Sequence, residues 1–397
     1  MTPFSAPSLL YNFVLVSLCP FCFFIPRVAP FLLILAGVGG WFFVNPYKLS
    51  PQKFMGPWFY GVLFLILWVG CSCFWSVDPV NSFKLFLRLC SLCGLSLGWY
   101  FLIQKLPPDA FRSALRSLLW GILLALTLLL MEKFLGEPWR LWCGKSCAQA
   151  FVPLVLTISA SLWPCLRILS SRLQKMVFIV GIFGILSLVD CDTAWIAVIL
   201  GLIASLASLV LPCITKAGLR LLAILTLALP WLFSVLLTNQ QIQNINHHIH
   251  SYSYIHRLYI WQFTSQKVTQ QSWILGCGAD SSREDIIGGS HQEWPMVDRH
   301  HQRVTIHSKA IPTHPHNFSL QLWLELGLMG ALLGASLYNF AIPWICRSSH
   351  LLATYQIGFI MAISTVFWVN LGCWQTWWLA TLGILIPLFR QETSDHS

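Results

Sequence analysis

Thr313-His314-Pro315-His316-Asn317 runs without a break into an apolar stretch from Phe318 to Trp344. A helix is expected to begin here, because Pro315 suits the first helical position and Thr313 or its neighbour can cap the free amides. His316 would then stand in the first turn, at a membrane surface. The positive end of a helix disfavours imidazolium and attracts anions, so a histidine there stays neutral and can accept a proton beside a bound phosphate. A capping or interfacial histidine would occupy the same place, so the rest of the chain must decide.

Of 397 residues, 56% are hydrophobic and 10% charged, with a mean hydropathy of +0.69, against about 25% charged in soluble domains. The chain therefore reads as an all-α polytopic membrane protein, in which each spanning segment satisfies its own backbone. Apolar runs of roughly 17 to 25 residues, enough to cross a bilayer, fall at about 8–26, 28–46, 57–76, 83–104, 114–131 and 148–166. Six more fall near 174–190, 193–213, 219–237, 318–344, 352–371 and 372–389. Twelve spans is the best count. The weakest divisions lie at Asp190 and Asp192, where two short helices would also fit, and at 371–375.

With the N-terminus in the cytoplasm, the even-numbered connections and the C-tail hold Lys48, Lys53, Lys105, Arg112, Arg116, Arg167, Arg172, Lys175, Lys216, Arg220, Arg347 and Arg390. Their only acids are Asp109, Glu392 and Asp395. Basic short loops mark the cytoplasmic side. The expected organisation is nine spans in residues 1–237, a large external loop with an amphipathic helix in 238–314, and spans ten to twelve in 315–397. In a bacterium the loop faces the periplasm. The net charge of +10 is thus mainly a topology signal. It is scattered over loops, which argues against a nucleic-acid partner. No cleavable signal sequence is apparent, so the first apolar run reads as a span.

The 14 cysteines lie mostly in apolar runs, where free cysteine behaves as a small hydrophobe. Cys143 and Cys147, near an external loop, are the pair placed to form a disulfide. Ten of the 12 histidines fall between His247 and His316. They lack the spacing of a metal site, and no metal or cofactor is expected. Within the external segment, 251–270 reads as a helix carrying Arg257 and Trp261 one turn apart, which would equally suit a helix lying among lipid headgroups. Gly276-Cys277-Gly278 then permits a tight turn that leaves Arg283 on a surface loop.

Taken in order, His256-Arg257-Leu258-Tyr259-Ile260-Trp261, then Gly276-Cys277-Gly278 with Asp280-Ser281-Ser282-Arg283, then His314-Pro315-His316-Asn317 running into Leu320 to Gly330, resemble the O-antigen ligase and polymerase superfamily. They are most similar to the ligase-like proteins of alphaproteobacteria. The resemblance implies a glycosyltransferase architecture of the GT-C type, with one large periplasmic loop between helices 9 and 10. It implies inverting, metal-independent transfer of a glycan from an undecaprenyl-pyrophosphate carrier to a sugar hydroxyl at the periplasmic face of the inner membrane. The acceptor is lipid A-core in a ligase, or another carrier-linked glycan in a polymerase. On this analogy His316 is the general base, Arg257 and Arg283 grip pyrophosphate, and His314 and Asn317 belong to the substrate-binding pattern. The chemistry suits these residue types: arginine holds an anionic leaving group bidentately without deprotonating, and a sugar hydroxyl needs a base.

Many relatives carry a further external arginine where this chain offers Lys145, which still supplies a point charge to phosphate. Asp190 and Asp192 match no firm motif and read first as capping or turn residues. Glu325 falls on the far side of the helix from His316 and reads as buried polar packing. Gly327, Gly330 and Gly334 form a stripe for close helix packing, and Trp374, Trp377 and Trp378 an interfacial belt. A transporter is the competing class. It is disfavoured because no duplicated halves are visible and few ionisable residues fall within spans.

Overall fold

The computed structural model describes residues 6–44, 57–139, 147–189, 191–249, 251–289, 291–297 and 302–390. Its first nine long helices are α1 Ala6–Phe24, α2 Ala29–Phe43, α3 Pro57–Ser72, α4 Pro79–Lys105, α5 Pro108–Phe134, α6 Cys147–Cys165, α7 Arg172–Leu186, α8 Asp192–Val210 and α9 Pro212–Leu236. The segment that follows contains α10 Asn239–His248, α11 Tyr252–Lys267 with a π-helical turn at Val268–Ser272, and a short helix α12 Asp285–Gly288. Next come strands β1 His291–Val297 and β2 Arg303–Lys309. The chain closes with α13 Phe318–Cys346, α14 His350–Val369, and α15 Thr376–Leu385 with a 3-10 turn to Phe389.

Local chemistry explains many of these boundaries. Pro79, Pro108 and Pro212 open α4, α5 and α9, where the missing N–H costs nothing. Asp78 caps α4 by accepting from the Asn81 amide at 3.1 Å, and Thr238 with Gln241 forms a capping box on α10.

Each of the twelve apolar runs contains a helix. Among the described residues, seven helices are long and apolar enough to cross a membrane by length and composition: α1, α4, α5, α8, α9, α13 and α14. Shorter apolar helices occupy Ala29–Phe43, Pro57–Ser72, Phe151–Cys165 and Thr376–Phe389. Phe42, Phe134 and Val210 are more than three-quarters exposed (84%, 87% and 76%). Apolar surface on that scale is suited to lipid, not water. The bundle is built on the pairs α1 with α5, α2 with α4, α8 with α14 and α9 with α13.

Two ends of the bundle are distinct. At one, Arg167 donates to the carbonyls of Leu388 and Arg390, and Arg390 donates to those of Ile103 and Gln104. At the other, the turn after α3 meets the loop around Cys277: the Val77 amide donates to Cys277 O at 3.0 Å and Ser82 Oγ to Ala279 O at 2.6 Å.

The fold is predominantly helical, in keeping with the expected all-α membrane architecture, and the segment before α13 adds an antiparallel strand pair, β1 with β2, with His291 opposite Lys309 and Val297 opposite Arg303. Two expectations are corrected. The helix does not begin at Pro315: Asn317 is its cap, accepting the Leu320 amide at 3.1 Å, and His316 precedes it in a left-handed conformation at φ 54°. Nor is α13 a continuous rod with a glycine stripe. Gly327 is non-helical (φ 64°, ψ −156°) and the chain reverses there.

The reversal is read from packing. A Cβ added to Gly334 would lie 2.2 Å from Leu322 Cδ1 and 3.3 Å from the Phe318 ring. In an unbroken helix Leu322 and Gly334 would stand about 18 Å apart along the axis. The half-helix Phe318–Leu326 therefore lies against Leu328–Cys346, with Gly330 and Gly334 as the close-approach positions.

The backbone of Gly327 occupies a region essentially confined to glycine, and a Cβ there would meet Ile274 O at 2.2 Å. Gly327→Ala is therefore expected to cost about 3 kcal/mol or more and to lower the melting midpoint of the detergent-solubilised protein by several degrees. Gly94→Ala, where an added Cβ meets nothing within 4 Å, should leave the midpoint unchanged. Equal melting of the two variants would refute the reversal.

Candidate active site

A nine-residue half-helix inside a bundle leaves amides at one end and carbonyls at the other without intrahelical partners. The carbonyl end is met by the Gly276-Cys277-Gly278 loop. The amides of Cys277 and Gly278 donate to Leu324 O and Glu325 O, each at 2.9 Å, and Trp68 Nε1 donates to Leu326 O at 3.0 Å. Gly276 (φ 73°) and Gly278 (φ 98°) are required, since a Cβ at either would fall within 2.5 Å of Glu325 or Ser76 atoms. The fully buried Glu325 locks this joint. Its carboxylate accepts from the Asp280 amide at 2.7 Å, Trp374 Nε1 at 2.5 Å and Gln321 Nε2 at 3.0 Å. Glu325 and Trp374 are thus interior partners, and Trp374 is not a belt residue.

The amide end carries the histidines. His316 Nδ1 lies 2.7 Å from Asn370 O. A carbonyl only accepts, so Nδ1 bears the proton and Nε2 is left with its lone pair free. The His316 amide donates to His314 Nδ1 at 3.2 Å, and the two rings stand 4.1 Å apart. Asn317 is 2% exposed, and both ends of its amide are engaged. Oδ1 caps the half-helix and Nδ2 donates to Trp368 O at 3.0 Å. It shapes the segment more than it offers a hand to a ligand.

Arg257 reaches the same place from α11. Its Nη2 donates to Asn370 Oδ1 at 3.5 Å, so one asparagine holds the base by its backbone and the cation by its side chain. Far from lying among headgroups, α11 is packed into the protein. Trp261 stacks on Phe233 at 5.4 Å and its Nε1 donates to Pro315 O at 3.0 Å. Asp192, the first residue of α8, accepts from Tyr254 Oη at 2.7 Å and lends negative charge to the Arg257 environment. Cys191, not Asp192, holds the cap position of that helix.

Burial, reinforced by Arg257, pushes the His316 imidazole down to about 4. Burial, His316 and Arg257 push His314 down to about 3. Both rings are neutral at physiological pH. The cause is desolvation beside a cation, not the helix end alone.

Arg283 is not brought to the histidines. It pairs with Asp280 at 2.7 Å on the loop between α11 and α12, with its side chain 45% exposed. Lys145, Asp190 and Cys143 lie outside the described residues, as does the side chain of Cys147. Among the described residues, no three His, Cys, Asp or Glu side chains gather as a metal site would require. Asn370 escaped the sequence reading. Its only signal was the polar interruption that weakly divides the last two apolar runs.

A neutral imidazole with a free lone pair, a fixed arginine and the positive end of a half-helix meet around Asn370. This arrangement can take a proton from a hydroxyl and stabilise an anion beside it. Comparison with known proteins shows what the chain is similar to. A "polysaccharide ligase", so named provisionally, from Rickettsia felis is 28% identical over 333 residues, covering 80% of this chain and 76% of its own. Proteins with the same provisional name from Rickettsia typhi and Rickettsia prowazekii are each 27% identical, over 82% of this chain and 78% of theirs. No solved structure matches. The O-antigen ligase family model matches residues 176–334. Those residues include Arg257, His314, His316 and Asn317, and over them the chain is similar to O-antigen ligases.

Proposed function

We propose that the protein transfers a glycan from an undecaprenyl-pyrophosphate carrier to a hydroxyl of lipid A-core, at the periplasmic face of the bacterial inner membrane. The observation that carries this reading is the shared use of Asn370. Its carbonyl fixes the His316 tautomer while its side chain holds Arg257, so base and anion-binding cation are placed as one unit.

In the proposed step the acceptor O–H gives its proton to His316 Nε2 as its oxygen attacks the anomeric carbon. The bond from that carbon to the pyrophosphate oxygen breaks with inversion, and the carrier pyrophosphate leaves with the electron pair. Arg257 holds the departing charge in a recess where water is scarce, and Arg283 is the second, outer cation for the same group. An imidazole near 4 is a weak base on its own. A pyrophosphate bound between it and Arg257 favours the imidazolium that forms, and so raises its basicity when the donor is present. His314, kept neutral and hydrogen-bonded to the His316 amide, orients the base without competing for the proton.

His316→Ala is expected to lower transfer by roughly 10² to 10⁴, the usual worth of general-base assistance, with protein level preserved. His314→Ala should be milder. Because the pKa of His316 is depressed, its base form persists as pH falls and is lost only towards its folded value of about 4. kcat/KM should therefore stay level from pH 8 to well below the ordinary imidazole value of about 6.5. kcat, measured with donor bound, should begin to fall at a higher pH. Undiminished lipopolysaccharide ligation in the His316→Ala strain would sink the assignment.

Arg257→Lys keeps the charge and loses the bidentate fork, so transfer should drop about tenfold or more. Arg283→Lys should lose less, given its exposure. Full activity of Arg257→Lys would reduce the residue to a headgroup anchor.

For orientation, alkaline phosphatase fused after Gly289 should be active and a fusion after Ser349 inactive. The opposite pattern would remove the periplasmic setting of the reaction.

A further inference from the structure

Two cations on α4 are unused by this mechanism. Lys84 and Arg88 are four residues apart and so share one face of the helix. Both are exposed, beside Phe83 and Leu87, which are 52% and 49% exposed. Arg88 stands nine residues into a helix that begins at Pro79, about 14 Å along its axis. That depth belongs to the membrane-spanning stretch, where an ionised side chain is costly and marks a function by default.

Their compensation is partial: Arg88 is within electrostatic reach of Asp280, and among the described residues no carboxylate is paired with it directly. Among the described residues neither makes an ion pair, and Arg88 Nη1 donates to the neutral Thr376 Oγ1 at 3.3 Å. The nearby carboxylates are committed elsewhere: Asp280 pairs with Arg283, and Asp78 caps α4 with both its oxygens on Asn81. Glu284 lies beyond Asp280 on the external loop. Thr376 is also the first residue of α15, whose cap Gln375 makes no side-chain bond to the free amides. Two like charges one turn apart on α4 repel one another, and Arg88 lies against the first residue of α15, so an anion between them would relieve both effects.

This cluster adjoins the recess. Gln375, next to Thr376, has its Nε2 3.4 Å from His314 Nε2. Arg257 reaches the histidine pair through Asn370, and Arg88 approaches it through Thr376 and Gln375. We propose that Lys84, Arg88 and the Thr376 hydroxyl form a second anion site, open to the lipid, that takes the phosphate of a phosphorylated glycolipid acceptor while Arg257 takes the pyrophosphate of the donor. The inference rests on the transfer reading, since a reaction between two membrane-anchored molecules must hold two anionic headgroups in one leaflet.

The test is direct binding to the purified full-length protein in phosphatidylcholine nanodiscs, with diphosphorylated lipid A and geranylgeranyl pyrophosphate as probes. The Lys84→Gln, Arg88→Gln double variant should weaken lipid A about tenfold or more and change geranylgeranyl pyrophosphate by less than about threefold. Arg257→Gln should do the reverse. Thr376→Val, which keeps every charge, serves as a gentler variant and should weaken lipid A about threefold. Excess phosphatidylglycerol should not displace lipid A. Absence of lipid A binding by the unaltered protein, unchanged binding by the double variant, equal loss of both probes, or displacement by phosphatidylglycerol would each overturn the second site. None of these readouts needs turnover, so failure here is separable from failure of the transfer reading, which the His316→Ala strain decides.

Discussion

The structure depends on one chain reversal made where water cannot help. When α13 breaks at Gly327, the carbonyls and amides released from the helix ladder must be satisfied by protein. The Gly276 to Asp280 loop meets the carbonyl end and Asn317 meets the amide end. Because Glu325 ties the loop to Trp374 and Gln321, the external segment and the last helices form one frame around the break. The histidines inherit their position from that frame. They sit at the inner end of a helix that points back towards its own continuation.

Such a frame makes the local electrostatics unusual, since among the described residues no ion pair lies at its centre. Two imidazoles 4.1 Å apart, desolvated beside a guanidinium, cannot both be protonated. The arrangement therefore keeps lone pairs available where a solvent-exposed histidine pair would titrate. Asn370 makes this possible because an amide-bearing residue offers acceptors and no charge. An aspartate there would neutralise Arg257 and draw a proton onto His316.

Much of the architecture was legible because lipid imposes simple rules. Apolar length and the placement of basic residues located a helix within each of the twelve runs, and the order of Arg257 and His316 pointed to a pair that the fold brings together. What could not be read was whatever depends on contacts distant in sequence. Gly327, Gly330 and Gly334 have the spacing of a packing stripe, and two of them do pack helices. Nothing in the spacing says that the helices are two halves of one segment. β1 and β2, with a proline and two histidines, carry no clear alternation. Lys84 and Arg88 were hidden because their run is otherwise apolar, and Asn370 because a single polar residue between two spans looks like a turn.

The half-helix also has a history that its final packing implies. Nine residues are too few to cross a bilayer or to hold helical form alone, and the bond from Trp68 to Leu326 O joins residues 258 apart in sequence. Its partners on α3, the Cys277 loop and the Trp374 turn come from the beginning, middle and end of synthesis. Phe318–Leu326 therefore takes its place only after α14 and α15 have been inserted. During biogenesis the surroundings of His314 and His316 are therefore completed late, and a chain truncated before Asn370 would lack the carbonyl that holds His316.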